Sequence, residues 1–180
     1  MIDYPLTAGQ LQRAWSLAQR RNQKRADVRN RRIGRHIGDL DMNYAGVRGE
    51  MASALYLGTS FDEKIYHRGG DRHRADIVVK GARIEVKSLM SFRPEKYWHL
   101  KVPPKHPLKA DWLALCYTRP RGWKIENLVG LVGAITTAEF RQRATLIDFK
   151  YSVSLAIPFT WLLSFEELKS IVTAPVTRTR

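Results

Sequence analysis

Apolar residues Leu11, Ala14, Trp15 and Ala18 recur at helical intervals, and Thr7-Ala8-Gly9-Gln10 before them has capping-box spacing, so a first helix is predicted to start near Ala8. A second is predicted from about Asn43 to Leu57, with Val47, Met51, Ala54 and Leu55 on one stripe and Gly58 as the stop. The period then changes to two. Ile77, Val79, Ile84 and Val86 alternate with polar residues around Lys80-Gly81, the pattern of a hairpin with a two-residue turn. Asp111 to Thr118 and Leu128 to Ile135 are apolar on both faces, as central strands under helices are. Thr136-Thr137-Ala138-Glu139 and Ser164-Phe165-Glu166-Glu167 are further capping boxes, which start short helices at about Thr137 and Phe165. Pro94 to Pro107 reads as a connecting loop. This order predicts a single α/β domain, a mixed β-sheet flanked by helices, with residues 1–42 as a basic N-terminal helical segment and residues 43–180 as the core with its C-terminal helix.

Hairpin register turns this pattern into chemistry. With Lys80-Gly81 as the turn, Val79 faces Ala82 and Asp76 faces Glu85. Lys87, two positions beyond Glu85, shares their side, while Ile77, Val79, Ile84 and Val86 turn to the other. Two opposed carboxylates repel unless positive charge sits between them, and a hard divalent cation such as Mg²⁺ supplies it through carboxylate oxygens, with the Val86 carbonyl as a further donor. Lys87 would then orient or deprotonate the attacking water, or stabilise charge in the transition state. The bland alternative is a surface ladder of ion pairs. Glu50 lies at the edge of the second helix's apolar stripe, where an acid needs a partner: either a metal, or Arg48 or another basic group.

Composition favours a polyanionic partner. Thirty-one Lys and Arg against 17 Asp and Glu give a formal net charge of +14 in 180 residues, and nucleic acid is the first expectation. Arg20, Arg21, Lys24, Arg25, Arg29, Arg31, Arg32 and Arg35 form a basic run that is either a phosphate-contacting surface or a solvated face. His67, Arg68, Arg72, His73 and Arg74 either grip phosphate or form a charged loop. Tyr97, Trp98, His99, Lys101 and Lys105 either stack on bases and hold phosphate or anchor a loop to the core; Trp112 and Trp161 read as core. No stretch reaches the roughly 20 apolar residues of a membrane span, and no secretory signal is evident at Met1 to Gln10. The single cysteine, Cys116, sits in an apolar run and reads as a buried thiol; an intracellular, cytoplasmic setting is expected.

Asp76 followed by Ile84-Glu85-Val86-Lys87-Ser88 resembles the core motif of the PD-(D/E)xK phosphodiesterase superfamily, and the Gly49-Glu50 helix resembles the element that precedes its catalytic hairpin. The similarity covers about Asn43 to Ile135, with Ala75 where the motif has proline. The resemblance implies a restriction-endonuclease-like fold and Mg²⁺-dependent hydrolysis of DNA, Mn²⁺ being a substitute. By this resemblance Asp76 and Glu85 would bind the metal, Glu50 would assist there, and Lys87 would serve the water or the transition state. The expected nucleic-acid contacts are Arg20, Arg21, Lys24, Arg25, Arg72 and Lys101. Two other readings keep the fold: an inactive basic DNA-binding module, and a structure-specific junction resolvase acting as a homodimer.

Overall fold

Lys80 and Gly81 both take positive φ, 46° and 92°, in a computed structural model of the chain. That backbone closes a two-residue hairpin turn whose twist suits the strands it joins. The structure describes residues 1–26, 39–64, 75–90, 98–119, 121–122, 126–149 and 152–175. Their order is β1 (Ile2–Pro5), α1 (Ala8–Ala26), α2 (Asp39–Tyr56), β2 (Ile77–Val79), β3 (Ala82–Met90), β4 (His99–Val102), β5 (Trp112–Thr118), β6 (Leu128–Thr136), α3 (Thr137–Arg143), β7 (Thr145–Asp148), β8 (Val153–Pro158), a 3₁₀ turn (Phe159–Trp161) and α4 (Phe165–Thr173).

Two sheets form. The larger runs β1-β6-β5-β3-β2, and the smaller β4-β8-β7. β3 and β5 are parallel while the other pairs are antiparallel, so the larger sheet is mixed, as expected. One of its faces carries Ile77, Val79, Ile84, Val86, Ala114 and Cys116, packed with α1, α2 and α4 in one core. The other carries Leu113, Leu115 and Tyr117, packed with β4, β8 and α3 in a second. The protein is thus a single α/β domain in layers around the larger sheet. β1 and α1 belong to it: β1 pairs with β6, and Ala14, Leu17 and Ala18 lie in the first core. The expected boundary at residue 42 falls inside α2, which starts at Asp39.

Capping chemistry sets the helix starts. Thr7 and Gln10 exchange bonds before α1, at 2.8 and 3.3 Å. Thr136 accepts from the Glu139 amide, and Ser164 and Glu167 complete a reciprocal box, so α3 and α4 begin at Thr137 and Phe165 as predicted. Gly58, at φ 72°, ends α2 with its amide on the Leu55 carbonyl at 3.1 Å.

Several expectations are corrected. The Pro94 to Pro107 segment is not all loop, because β4 lies within it and pairs with β8. Leu55 is on the outer side of α2 and exposed, and Trp161 is half exposed rather than core. The hydrophobic pattern does not predict strands β1, β7 and β8. They are short, and a four-residue segment such as Ile2–Pro5 carries too few alternations to announce itself.

Candidate active site

The β2–β3 ladder pairs Val79 with Ala82, Val78 with Arg83 and Ile77 with Ile84, which is the predicted register. It then stops. Asp76 is a bend, and its Oδ2 accepts the Val86 amide at 2.7 Å, taking the bond that a longer β2 would have taken with backbone. In an antiparallel ladder the amide and carbonyl of one residue point to the same neighbour, so the Val86 carbonyl faces the strand edge occupied by Asp76. The Asp76 carbonyl accepts the Asp62 amide at 2.8 Å, and Phe61 bridges to Ile77, which ties the chain after α2 to this edge.

Glu85 and Lys87 are on the opposite face of β3 from Val86, as alternation requires. Lys87 Nζ forms an ion pair with Glu85 Oε1, and the same oxygen lies 2.7 Å from His106 Nε2. The carboxylate is largely covered, at 15% exposure, with Lys87 at 26% and His106 at 34%. Sequence reasoning missed His106. It stands in Pro103-Pro104-Lys105-His106-Pro107, and a histidine confined among three prolines was the available signal. Its amide closes a turn onto the Pro103 carbonyl at 2.9 Å. Downstream, Arg141 donates to the Leu108 carbonyl at 2.8 Å and Thr137 Oγ1 to the Ala110 carbonyl at 2.7 Å.

Glu50 comes from behind this face. At Gly49 an added Cβ would lie 2.1 Å from Ser88 Oγ and 3.3 Å from Cys116 Cβ, so α2 is pressed against the β3 face opposite Glu85 and Lys87. The Glu50 carboxylate accepts Arg21 Nη1 on both oxygens, at 3.0 and 2.9 Å, and Arg21 Nη2 continues to the Asp62 carbonyl at 2.8 Å. Arg48, the basic neighbour weighed as its partner, is fully buried elsewhere: it donates to the Glu126 and Arg119 carbonyls at 2.7 and 2.6 Å and lies 4.4 Å from the Tyr44 ring. Glu50 and Asp76 are therefore linked by side chain and backbone through Arg21 and Asp62. Glu50 is not brought onto the Glu85 and Lys87 face. Among the described residues no group of three or more His, Cys, Asp or Glu is disposed to hold a metal ion.

Burial and charge act together on Cys116, within the first core. Its thiol is pushed up to about 12, chiefly by burial, with the Glu50 charge adding to the rise and the Ser53 hydrogen bond opposing it. The thiol is a packed core group, as read from the sequence.

The expected nucleic-acid residues fall in different places. Arg20 is exposed on α1, whereas Arg21 is held inward by Glu50. Lys24 and Arg25 belong to the last residues of α1. Arg72 lies outside the described residues, as do His67, Arg68, His73, Arg74, Tyr97 and the basic stretch from Arg29 to Arg35. Lys101 on β4 sets its Nζ 3.4 Å from the Phe149 ring centroid. Trp98 is 4% exposed and stacked on Tyr117 at 4.3 Å, so it anchors its segment to the second core. No helix among the described residues is long and apolar enough to cross a membrane. Comparison of the chain with protein-family models, with curated proteins and with solved structures finds no match.

Proposed function

We propose that the chain is a metal-dependent nuclease acting on DNA, with a restriction-endonuclease-like fold of the PD-(D/E)xK kind. The observation that carries this reading is the β2–β3 hairpin: its register brings the Asp76 carboxylate to the Val86 amide and pairs Lys87 with Glu85 on the adjoining face. The donor set suits a hard cation, since the Asp76 and Glu85 carboxylates and the Val86 carbonyl all offer oxygen. Both contacts that Glu85 makes among the described residues go to Oε1, so Oε2 is the oxygen available for such an ion. When bound there, Mg²⁺, or Mn²⁺ in its stead, supplies the charge that lowers the pKa of water and neutralises phosphate. The chain's own part is to hold and orient. Asp76 fixes the strand edge, Glu85 presents Oε2, and Lys87, paired with Glu85, would orient water or meet charge developing on the phosphate. Ligation by Glu50 would require its pair with Arg21 to open.

The formal net charge of +14 supports a polyanionic substrate, because dispersed Lys and Arg draw nucleic acid without sequence preference. A second reading, a basic DNA-binding module without turnover, is favoured by one observation: Glu50 is engaged by Arg21 rather than gathered with the other acids. Incubation with single-stranded, double-stranded, flapped and four-way DNA, and with RNA, with and without Mg²⁺, separates the readings. Mg²⁺-dependent cleavage is expected; binding with no cleavage in any arm would favour the inactive module, and selective cutting of four-way DNA a junction resolvase.

A further inference from the structure

We infer that His106 is a positioning residue for Glu85, fixing which carboxylate oxygen is presented to a divalent cation; this deepens the proposed metal site and rests on it. His106 Nε2, from the loop between β4 and β5, and Lys87 Nζ, from β3, converge on the same oxygen, Oε1. A carboxylate held on one oxygen by two donors cannot rotate about its last bond without breaking both, so Oε2 keeps one direction. A single donor, Lys87, would not achieve this, because it is a flexible point charge two residues from Glu85 on the same strand and moves with it.

The loop that delivers His106 is built to be stiff. Pro103, Pro104 and Pro107 restrict the backbone on both sides of it, and the His106 amide closes the turn on Pro103 at 2.9 Å. Further along, Leu108 and Ala110 are pinned through their carbonyls by Arg141 and Thr137 of α3. The Asp111 amide then bonds the Arg83 carbonyl at 2.8 Å, returning the loop to β3, the strand that carries Glu85. The imidazole and the carboxylate are thus referenced to one rigid frame, which is what a supporting contact needs to hold a ligand within a fraction of an ångström. An ionised carboxylate oxygen can only accept, so Nε2 is the donating side of this contact.

The test pairs cleavage with direct titration of Mn²⁺ alone, followed by the electron paramagnetic resonance of the free ion. His106→Ala is expected to weaken Mn²⁺ binding by roughly tenfold and to raise the Mg²⁺ concentration for half-maximal cleavage in the same proportion, with the rate at saturating metal largely kept. His106→Gln, whose amide N–H can donate to the same oxygen, should recover most of the loss. His106→Phe, which keeps a ring of similar bulk but no donor, should resemble Ala; these two variants decide the matter if Ala folds poorly. Unchanged Mn²⁺ affinity in Ala and Phe overturns the proposal, and if their saturated cleavage rate collapses instead, His106 acts on the substrate. Wild-type protein that binds no Mn²⁺ overturns both this proposal and the metal site. Wild type that binds Mn²⁺ without cutting nucleic acid, but loses that affinity in Phe and regains it in Gln, sustains the positioning role while the nuclease reading fails.

Discussion

The Asp76 carboxylate accepts the Val86 amide at 2.7 Å, at the point where β2 ceases to pair with β3. One side chain therefore finishes a strand and, in the proposed mechanism, offers oxygen to a cation. The two roles separate by substitution. Asp76→Asn keeps an acceptor for the Val86 amide, whereas Asp76→Ala leaves that donor without its partner, at about 1–3 kcal/mol. Both variants are expected to lose Mg²⁺-dependent cleavage, but only Ala should lower the unfolding midpoint clearly. DNA affinity in chelator should stay equal or rise in Asn, because a negative charge has left the surface that phosphate approaches. A Mg²⁺-dependent cleavage assay, thermal unfolding and titration of uncleaved DNA in chelator check these three points in turn.

Glu85→Ala and Lys87→Ala should each reduce cleavage by at least about a hundredfold. Neither side chain fills a core, so thermal stability is expected to stay close to that of wild type. Single-turnover cleavage at saturating Mg²⁺, with circular dichroism on the same samples, is the measurement. Wild-type rates in either variant would remove that residue from the site.

Arg21 and Arg20 are adjacent in sequence but differ in surroundings. Arg21→Ala breaks a half-buried pair with Glu50 and the bond to Asp62, so it is expected to cost about 1–3 kcal/mol and to leave the salt dependence of DNA binding unchanged. Neutralising exposed Arg20 with Lys24 and Arg25 should do the opposite, weakening affinity and flattening the plot of log affinity against log salt. A flattened slope in Arg21→Ala alone would show that the pair opens to meet phosphate.

Gly49 and Ser88 meet where α2 crosses β3. Gly49→Ala would bring a methyl within 2.1 Å of Ser88 Oγ, an atom that is buried with no hydrogen-bond partner among the described residues. A loss of about 1–3 kcal/mol is expected from the overpacking. Ser88→Ala removes the obstructing oxygen, so the double variant should recover part of that loss. A double-mutant cycle by urea unfolding reads the coupling.

The Cys116 thiol, pushed up to about 12 by burial from an ordinary value of 9.0, holds its proton more tightly when folded. Its contribution to stability is full below pH 9.0 and is lost as pH rises toward 12. Cys116→Ala should therefore show a shallower decline of the unfolding midpoint between these limits than wild type. The native thiol should also resist a disulfide reagent at pH 8 and react on unfolding.

Local order determined what was legible in the sequence. A two-residue turn and strict alternation set the β2–β3 register, and with it the relation of Asp76, Glu85 and Lys87, because a strand allows each side chain only two directions. Capping boxes marked the starts of α3 and α4 for a similar reason, since both partners lie within four residues. The helix stripe told that Glu50 was at an apolar edge, but not what it would meet. That was decided by the packing of α1 on α2, which set Arg21 against a carboxylate 29 residues away. It was decided also by the absence of a side chain at Gly49, which let α2 settle on the back of β3. His106 joined Glu85 only because the segment between β4 and β5 is fastened to α3 and β3. Such contacts arise when separate elements share a core, and they leave no periodic trace in the chain.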